Sequence, residues 1–254
     1  GGGSNAVGRM FRDKVPGVEY SCVNTDAQHL DRCDVPNKIS IGHEITRGLG
    51  VGGHPEIGRQ AAEESREDLS KLVAGADMVF VTAGMGGGTG TGSAPVIAEL
   101  AKESGALTVA VVSKPFSFEV TQRKKNADEG LAKLRDVVDT LITIPNDRLL
   151  QLNKEKGDEY TWEDALKMAD SVLAQGIQSI AEVVTVPGEI NVDFADIKTI
   201  MGGAGPAWMA IGRGNGENRA VNAARQATKS PLLDIAIEGA KRILFVISGG
   251  STLS

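Results

Sequence analysis

The densest chemical signal in the sequence is the stretch GMGGGTGTG at 84–92, which has six glycines and two threonines in nine residues. A β-rich run at 78–82 precedes it, and a helical pattern begins just after it, near Ala94. A bound phosphate needs converging backbone N–H groups; glycine lets the backbone approach closely, and a helix N-terminus adds positive potential. A flexible turn is the alternative, but it needs far fewer glycines. The stretch therefore predicts a phosphate-binding site.

Two common nucleotide motifs differ from this one. A Walker A loop ends in Gly-Lys-Ser/Thr, and no Gly-Lys dipeptide occurs in the chain. A formal GxGxxG pattern is present at 48–53. In a dinucleotide-binding fold, this pattern lies at the start of the helix of the first βαβ unit, and the next strand ends in an acidic residue. The next predicted strand ends at Thr82 instead. A dinucleotide-dependent oxidoreductase is therefore a weak alternative.

A pair of aspartates forms a second chemical pattern. Asp193 and Asp196 stand three positions apart, so they share one face if a helix begins there. Two carboxylates on one face could orient a water molecule, or hold Mg²⁺ through water. Ordinary helix capping is the competing interpretation, and the spacing alone favours it.

Short β-rich runs alternate with helical patterns through the first part of the chain. This alternation predicts an α/β fold with a Rossmann-like parallel sheet and helices on both faces. Ligands on such sheets bind at the carboxyl ends of the strands, where the sequence has loops at 24–26, 84–92 and 146–147. The predicted strands are 18–23, 38–41, 78–82, 107–113 and 140–144, and the predicted helices are 6–15, 55–73, 94–104 and 122–138.

A long helical pattern at 162–184 follows, and its wide apolar stripe predicts a helix buried between two layers. After the turn at Pro187, a second, partial α+β region is predicted. Its elements are a helix near 194–201, a strand at 208–212, a helix at 218–228 and a strand at 243–247.

The bulk composition excludes several classes of protein. The 254 residues, 41% of them hydrophobic, can bury a core and do not form a disordered tail. The net charge of −6 argues against sequence-independent nucleic-acid binding. No apolar run reaches the ~18 residues of a membrane span. Only Cys22 and Cys33 are present, which fits a reducing compartment; with His29 they could form a metal site, but the spacing matches no common zinc pattern.

Several short motifs, in order along nearly the whole chain, resemble the tubulin/FtsZ family. GMGGGTGTG looks like the family signature, and the match is closer to bacterial FtsZ, a cell-division GTPase, than to eukaryotic tubulin. The other matching segments are GGGSNAV, VNTDAQ, TRGLGVGGHPEIGR, KPFSFE, IPNDRLL, NVDFAD, GENRA and SPLLD. The resemblance implies a GTP-binding domain at 1–160, a central connecting helix at 161–186, and, at 187–254, a synergy loop with a partial C-terminal, GTPase-activating domain.

The resemblance also implies which residues bind the nucleotide, GTP or GDP with its Mg²⁺. Asn24 and Asp26 would lie beside the nucleotide, and the loop 50–55 would sense the γ-phosphate. The implied nucleotide-binding residues are Gly1, Gly2, Gly3, Ser4 and Asn5 in a first phosphate loop, Gly87, Gly88, Thr89 and Gly90 in the main cradle, Glu119 and Arg123 near the ribose and phosphates, and Asp170 at the guanine. No side chain is implied as a direct metal ligand.

Side-chain chemistry is compatible with three of these roles. A carboxylate such as Asp170 can accept hydrogen bonds from the N1–H and the exocyclic amine of guanine, a donor pair that adenine lacks. Glu119 suits a ribose diol, and Arg123 suits a phosphate. The residues alone favour the competing interpretations, which are an i,i+4 ion pair between Glu119 and Arg123 and a helix-surface carboxylate at Asp170.

For the stretch NVDFAD, the resemblance implies that Asn191, Asp193 and Asp196 complete the active site of the next subunit. Phosphoryl transfer to water needs mainly positioning and charge stabilisation, so oriented carboxylates suffice beside the Mg²⁺ of the nucleotide. Nucleotide and aspartates would then lie at opposite ends of the subunit. The contact would be heterologous and head-to-tail, giving an open filament whose assembly is coupled to hydrolysis.

The sequence departs from the family pattern in several places. The strand expected before GGGSNAV is absent, and Ser254 precedes the expected further strands and the partner-recruiting tail, so the chain is expected to be a fragment. Val120 stands where the family usually has Gly, which could move the loop beside Glu119. Leu166 stands where the family usually has a Phe stacked on the guanine, so base stacking should be weaker.

The sequence therefore predicts a cytoplasmic GTPase that polymerises head-to-tail with copies of itself as the scaffold of the bacterial division ring at midcell. Division-ring proteins are expected partners; nucleic acid and direct membrane insertion are not expected. The main alternative is a non-catalytic, nucleotide-binding scaffold in which truncation has abolished assembly or turnover.

Overall fold

The structure, a computed structural model, describes residues 1–154, 161–188, 192–230, 232–233 and 240–250. Helices and strands alternate through most of this length. In chain order the elements are α1 (Gly2–Arg12), β1 (Ser21–Asn24), α2 (Ala27–Asp31), β2 (Asn37–Ser40), α3 (His43–Thr46), α4 (Pro55–Glu64), α5 (Arg66–Val73), β3 (Met78–Gly84), α6 (Thr89–Glu103), β4 (Leu107–Lys114), α7 (Thr121–Val137), β5 (Thr140–Pro145), α8 (Asn146–Lys154), α9 (Trp162–Thr185), α10 (Phe194–Met201), β6 (Gly205–Ala207) and α11 (Arg219–Thr228).

The strands form two sheets, and every strand pair in them is parallel. β1 pairs with β2, and the larger sheet has the order β3-β4-β5-β6. Val111 on β4 stands opposite Thr82 on β3 and Ile142 on β5. β4 is buried along all but its last residue, as expected for a central parallel strand with both faces covered.

Alternate residues of β4 build the two sides of the core, because successive side chains of a strand point to opposite faces. Val109 and Val111 pack in a cluster with residues of α1 and α9, including the fully buried Leu173. Ala110 and Val112 pack with residues of α6 and α7. The helix predicted at 162–184 is α9.

A capping box starts α9. The Thr161 hydroxyl oxygen accepts a hydrogen bond from the Asp164 N–H at 3.2 Å, and an Asp164 carboxylate oxygen accepts one from the Thr161 N–H at 3.1 Å. Such reciprocal bonds satisfy two amides that a helix start otherwise leaves without a partner. The cap therefore defines where the central helix begins.

A long groove separates the two sheets. Within the described part of the chain, no strand pairs with the β1 edge that faces away from β2, or with the β3 edge that faces away from β4. Both strands line a cavity of about 810 Å³ that also touches α1 and the C-terminal half of α9. Free strand edges present backbone N–H and C=O groups that can pair with another extended segment.

Several predicted boundaries in the first part of the chain differ from the structure. The single helix predicted at 55–73 is two helices, α4 and α5, because the chain bends at Ser65, whose hydroxyl accepts a hydrogen bond from the Gly42 N–H at 3.1 Å. The helix predicted at 6–15 begins at Gly2, where Gly3 packs directly against β3. The short helices α2, α3 and α8 were not predicted.

The strands predicted at 208–212 and 243–247 are wrong. Gly212 packs against the backbone of α11, and the Met209 side chain lies against Gly176 of α9, so the first segment is held by helices. Residues 243–247 have no strand partner among the described residues, and Phe245 is 71% exposed. A strand requires a neighbouring backbone to complete its hydrogen bonds. The strand that does form in this region, β6, lies earlier and pairs with β5.

Candidate functional site

The phosphate stretch predicted at 84–92 spans the end of β3, a short loop and the first turn of α6. No side chain caps α6: Gly88 occupies the N-cap position without a side-chain hydrogen bond, and the first turn has no acidic residue. The first amides of a helix have no partner within the helix, and the helix dipole favours negative charge there. This end of α6 can therefore hold an anion.

Close approach of two backbones explains the glycines of this loop. A Cβ added at Gly88 would lie against the Val51 side chain and 2.8 Å from the His54 nitrogen. Gly86 has φ +100° and lies so close to Arg123 that an added Cβ would be 2.7 Å from its carbonyl oxygen. An added Cβ at Gly87 would have no atom within 4 Å, so this residue faces open space. One side of the loop therefore exposes its backbone to open space, while the other side packs against neighbouring residues.

The predicted first phosphate loop lies in α1. Gly2, Gly3, Ser4 and Asn5 form the first turn of this helix. A Cβ added at Gly3 would press against the Thr82 carbonyl oxygen, so glycine lets α1 sit directly on β3. The N-termini of α1 and α6 thus both flank the carboxyl end of β3, and two helix dipoles reinforce each other there.

Asp170 lies beside this first turn, on α9. Its carboxylate accepts a hydrogen bond from the Asn5 side-chain amide at 3.1 Å, and a Cβ added at Gly2 would be 3.2 Å from its other oxygen. The residue is 8% exposed. Burial raises the pKa of Asp170 above its usual range, although the bond from Asn5 and the charge of Arg9 act in the opposite direction. The structure thus brings Asp170 to the predicted phosphate loop from a distant part of the chain.

Asn24 and Asp26 shape the loop after β1. The Asn24 side-chain oxygen accepts hydrogen bonds from the N–H groups of Thr25 and Asp26, and the Asp26 carboxylate caps α2 through the His29 N–H at 2.9 Å. Their side chains therefore hold the turn. Leu49 also pairs with Asp26, which ties this loop to the stretch 48–53.

Thr25 is a site residue that the sequence did not single out. Its hydroxyl forms a 2.7 Å hydrogen bond with the hydroxyl of Thr89 in the phosphate cradle, and its carbonyl accepts the Gly50 N–H at 3.1 Å. Its side chain is fully buried. The motif Asn-Thr-Asp after a predicted strand was the only available signal, and it pointed to the flanking residues instead.

These loops border an open cavity of about 310 Å³ at the carboxyl end of the sheets. The cavity is lined by Gly1, Asn24, Asp26, His29, Leu49, Gly50, Val51, Gly52, Gly53, Gly88 and Thr89. Its wall at 48–53 is the GxGxxG pattern, which lies between α3 and α4 and does not follow a strand. Gly48, Gly50, Gly52 and Gly53 all have positive φ, so these glycines serve a tight loop. This arrangement disagrees with a dinucleotide-binding fingerprint.

Glu119 and Arg123 form the i,i+4 ion pair that the residues alone favoured. Glu119 also accepts a hydrogen bond from the Phe116 N–H at 2.8 Å, and its side chain is 8% exposed, whereas that of Arg123 is 52% exposed. The Arg123 backbone packs on Gly86. The pair therefore lies beside the phosphate loop, with the guanidinium accessible to solvent.

Asp193 and Asp196 lie around the first turn of α10, and both are exposed. Asp193 takes the N-cap position, but its side chain makes no capping hydrogen bond, so capping does not account for it. Asn191, the third predicted catalytic residue, lies outside the described residues.

The structure does not bring these aspartates to the cavity. From Asp170, α9 leads away for fifteen residues to Thr185, which lies beside Gly17, past the far end of α1. At 1.5 Å per residue this separation is about 22 Å along the helix. α10 follows, and the carbonyl of its last residue, Met201, accepts a hydrogen bond from Thr140 at the start of β5. The aspartates thus lie toward the amino end of the sheet, opposite the cavity.

Cys22, His29 and Cys33 do not form a metal site. No cluster of three metal-ligating side chains occurs in the described ranges. His29 contacts the Gly1 amine, and Cys33 donates to the His29 carbonyl at 3.5 Å. Burial raises the pKa of Cys22 to about 12, which disfavours the thiolate that metals bind.

Comparison with known proteins gives the family. The profile of the "Tubulin/FtsZ family, GTPase domain" matches residues 1–154, and that of the "FtsZ family, C-terminal domain" matches residues 205–254. The chain belongs to the tubulin/FtsZ family. The family resemblance and the fold class predicted from the sequence are therefore confirmed.

Solved structures support the same assignment. An empty FtsZ dimer from M. jannaschii matches with a TM-score of 0.88 and 46% identity, over 92% of this chain and 67% of that one. A mutant of the M. jannaschii FtsZ matches with a TM-score of 0.87 and 46% identity, over 91% of this chain and 68% of that one. CetZ2 from Haloferax volcanii, solved as a GTPγS-bound protofilament, matches with a TM-score of 0.73 and 23% identity, over 91% of this chain and 70% of that one. At this identity the match supports the fold alone.

Membership of the tubulin/FtsZ family identifies the chain as a GTPase-family protein whose ligand class is guanine nucleotides. Among the described residues, no helix is both long and apolar enough to span a membrane.

Proposed function

We propose that this protein binds and hydrolyses GTP and polymerises head-to-tail into the filaments of the bacterial cell-division ring. One observation carries the proposal: the N-termini of α1 and α6, the glycine loop at 48–53 and Asp170 converge at the carboxyl end of the sheet, while Asp193 and Asp196 are exposed at the other end. A complete site then needs two copies of the chain. The M. jannaschii FtsZ, 46% identical to this chain, was solved as a dimer, which supports self-association.

The residues at the carboxyl end of the sheet fit a nucleoside triphosphate. The amides of the first turns of α1 and α6 donate to phosphate oxygens, and Gly87, with no atom within 4 Å of an added Cβ, leaves room for them. Asp170 accepts hydrogen bonds from the guanine base. Its carboxylate then either loses the hydrogen bond from Asn5 or accepts hydrogen bonds from both groups. Arg123 is exposed beside the loop and can turn away from Glu119 toward a phosphate. Glu119 is then free to accept hydrogen bonds from the ribose hydroxyls.

Mg²⁺ would come with the nucleotide. Hard cations such as Mg²⁺ are commonly held by substrate phosphates and water with one or two carboxylates, and no dedicated cluster of protein ligands is needed. The ion would neutralise charge that develops on the phosphates.

The protein groups that act in hydrolysis would be Asp193, Asp196 and Asn191 of the neighbouring copy. Exposed carboxylates without a capping role can accept hydrogen bonds from a water molecule and orient it toward the γ-phosphate. Turnover is then confined to subunit junctions, so it rises steeply with protein concentration. The heterologous contact does not close on itself, and the product is a filament.

The non-catalytic scaffold is the alternative, and one experiment separates the two functions. Light scattering and phosphate release are followed with GTP, with GDP and with NAD. GTP-dependent scattering with turnover that rises with protein concentration supports the GTPase filament. GTP binding with neither signal supports the scaffold, and binding of NAD without GTP would refute both.

A mixing experiment tests the shared site. Asp193→Ala keeps its own nucleotide cavity and loses hydrolysis, whereas Asp170→Ala loses nucleotide binding and keeps its aspartates. In a mixture, Asp170→Ala subunits supply intact aspartates to Asp193→Ala neighbours, so part of the parent turnover returns. A mixture that stays as inactive as its two components contradicts the assignment of the aspartates to a neighbouring copy. Binding of GTP by folded Asp193→Ala and Asp196→Ala is the control.

A further inference from the structure

Asn126 on α7 is a buried polar residue that the proposed hydrolysis does not use. Its side chain is 7% exposed. Its amide nitrogen donates to the carbonyl oxygens of Gly53 at 3.3 Å and Gly86 at 3.5 Å. One side chain thereby touches two loops that are separated by more than thirty residues in the sequence.

The two loops that Asn126 joins are the two sides of the phosphate cavity. Gly53 belongs to the loop 48–53, which lines the cavity, and Gly86 belongs to the loop that leads into α6. Both glycines have positive φ, which glycine adopts freely, and neither has a side chain of its own that could hold its loop in place. Asn126 is not among the residues that line the cavity, and it therefore acts on the loops and not on a ligand.

The orientation of the Asn126 amide is set from the other side. The Gln122 side chain, one turn earlier on α7, donates to the Asn126 amide oxygen at 2.8 Å. This bond turns the amide nitrogen, with its two hydrogens, toward the two carbonyls. A buried amide with each of its polar atoms engaged holds one arrangement of its partners.

We propose that Asn126 is a positioning residue that fixes the loop 48–53 against the phosphate cradle and so makes the site distinguish nucleoside triphosphates from diphosphates. The inference rests on the proposed function. The cradle at α6 can hold a diphosphate by itself, whereas a third phosphate extends farther into the cavity, which the loop 48–53 also lines. Loss of the link therefore weakens binding of the triphosphate more than binding of the diphosphate.

The test compares two variants with a matched control. Asn126→Leu roughly keeps the side-chain volume and removes both N–H donors. Asn126→Asp keeps the side-chain shape and also removes both donors, and it replaces the leucine variant if that variant does not fold. Lys125→Met, at an exposed neighbouring position on α7, is the control. Calorimetry with GTPγS and with GDP should give about a tenfold loss of GTPγS affinity in the Asn126 variants, with a change in GDP affinity below about twofold. The control should keep both affinities.

Two further readouts separate a positioning role from a merely structural one. Without nucleotide, amide hydrogen exchange at His54, whose N–H bonds to the Val51 carbonyl at 3.0 Å, should be faster in Asn126→Leu than in the parent. In turnover assays the KM for GTP should rise more than kcat falls. Equal losses for GTPγS and GDP, or unchanged affinities, would overturn the proposal, as would unchanged exchange at His54.

Failure of the proposed function is distinguishable from failure of this inference. A parent protein that binds neither GTPγS nor GDP refutes the function, while hydrogen exchange at His54 still decides whether Asn126 holds the loop.

Discussion

The α/β body and the segment after β6 contain similar apolar runs but reach different structures. In the body, the pattern at 107–113 forms β4, where Val109 and Val111 are fully buried. After β6, the pattern at 243–247 forms no strand, and Ile243 and Phe245 are 69% and 71% exposed. The sequences of both runs are typical of strands. The difference lies in their surroundings.

β4 has a partner on every side. It pairs with β3 and β5 along its two edges, and helices cover both faces. Residues 243–247 have no neighbouring strand within the described ranges, and of these five residues Leu244 alone is partly buried and packs against the core. Hydrophobic patterning thus provides the side chains for a core, but pairing partners decide whether a strand forms. Four predictions test this contrast, in order of decreasing effect on stability.

Tight packing in the body should make Gly92→Ala strongly destabilising. A Cβ at Gly92 would press against the Pro55 carbonyl and lie 2.6 Å from the Arg59 nitrogen, where α6 meets the backbone of α4. We expect a loss of about 3 kcal/mol, since backbone cannot move aside as a side chain can. Gly8→Ala in α1 is the control, because an added Cβ has no atom within 4 Å there; it should stabilise by about 1 kcal/mol. Urea denaturation measures both, and equal effects would contradict the packing argument.

The groove between β1 and β3 should accept one more parallel strand. Gly1 lines this groove, so a seven-residue segment rich in Val and Ile, fused ahead of Gly1, can reach both free edges. Paired edges should raise the Tm by about 3 °C or more, equivalent to roughly 1 kcal/mol for a chain of this size.

The control for the groove is the same segment with proline at alternate positions, which cannot donate to a ladder. Differential scanning fluorimetry compares the two fusions. Equal Tm shifts for the two would mean that the groove does not select a hydrogen-bonded strand.

Asp170→Asn should stabilise the nucleotide-free body slightly at neutral pH. Burial raises the folded-state pKa of Asp170 above the unfolded value. An acid shifted upward costs stability as the pH rises from the unfolded pKa through the folded one, because the folded protein then holds a poorly solvated charge. The asparagine variant lacks this penalty.

A pH series of thermal unfolding tests this sign. The Tm advantage of Asp170→Asn over the parent should be present at pH 7 and should disappear by about pH 3, below the unfolded-state pKa of about 3.9, where aspartate is mostly protonated in both states. A lower Tm than the parent at pH 7 would contradict it. With GTP added, the order should reverse if Asp170 recognises guanine.

The smallest effect is expected after β6. Phe245→Ser should change the free energy of unfolding by less than about 0.5 kcal/mol, because the ring is 71% exposed. Val111→Ser, at a fully buried position of β4, is the comparison and should cost several times more. A large loss for Phe245→Ser, measured by urea denaturation, would mean that the segment after β6 is packed as the body is.

Much of the fold could be predicted from residue patterns. The strands at 78–82, 107–113 and 140–144 and the central helix follow from strong local periodicity. The bend at Ser65 could not be predicted, because it depends on a hydrogen bond to Gly42, a residue far away in the sequence. The same holds for β6, a run of Gly-Pro-Ala with little strand propensity that forms by pairing with β5.

The candidate site divides in the same way. The phosphate cradle at 84–92 could be predicted because its glycines report a local need for exposed backbone. Thr25 could not, since its importance comes from a hydroxyl contact with Thr89, a residue far away in the sequence. Asp170 has no local signal of function, and only the family motifs pointed to it.

The α/β class, the phosphate loop and the family follow from the residues alone, because they depend on periodicity and on motifs of neighbouring residues. The tertiary structure was needed to show that α1 and α6 direct their N-termini to the same cavity and that Asn126 joins the cavity's two loops. It also places Asp193 and Asp196 at the other end of the sheet, which the family resemblance had implied. Those relations join residues far apart in the chain, and they exist only once packing has fixed the helices on the sheet.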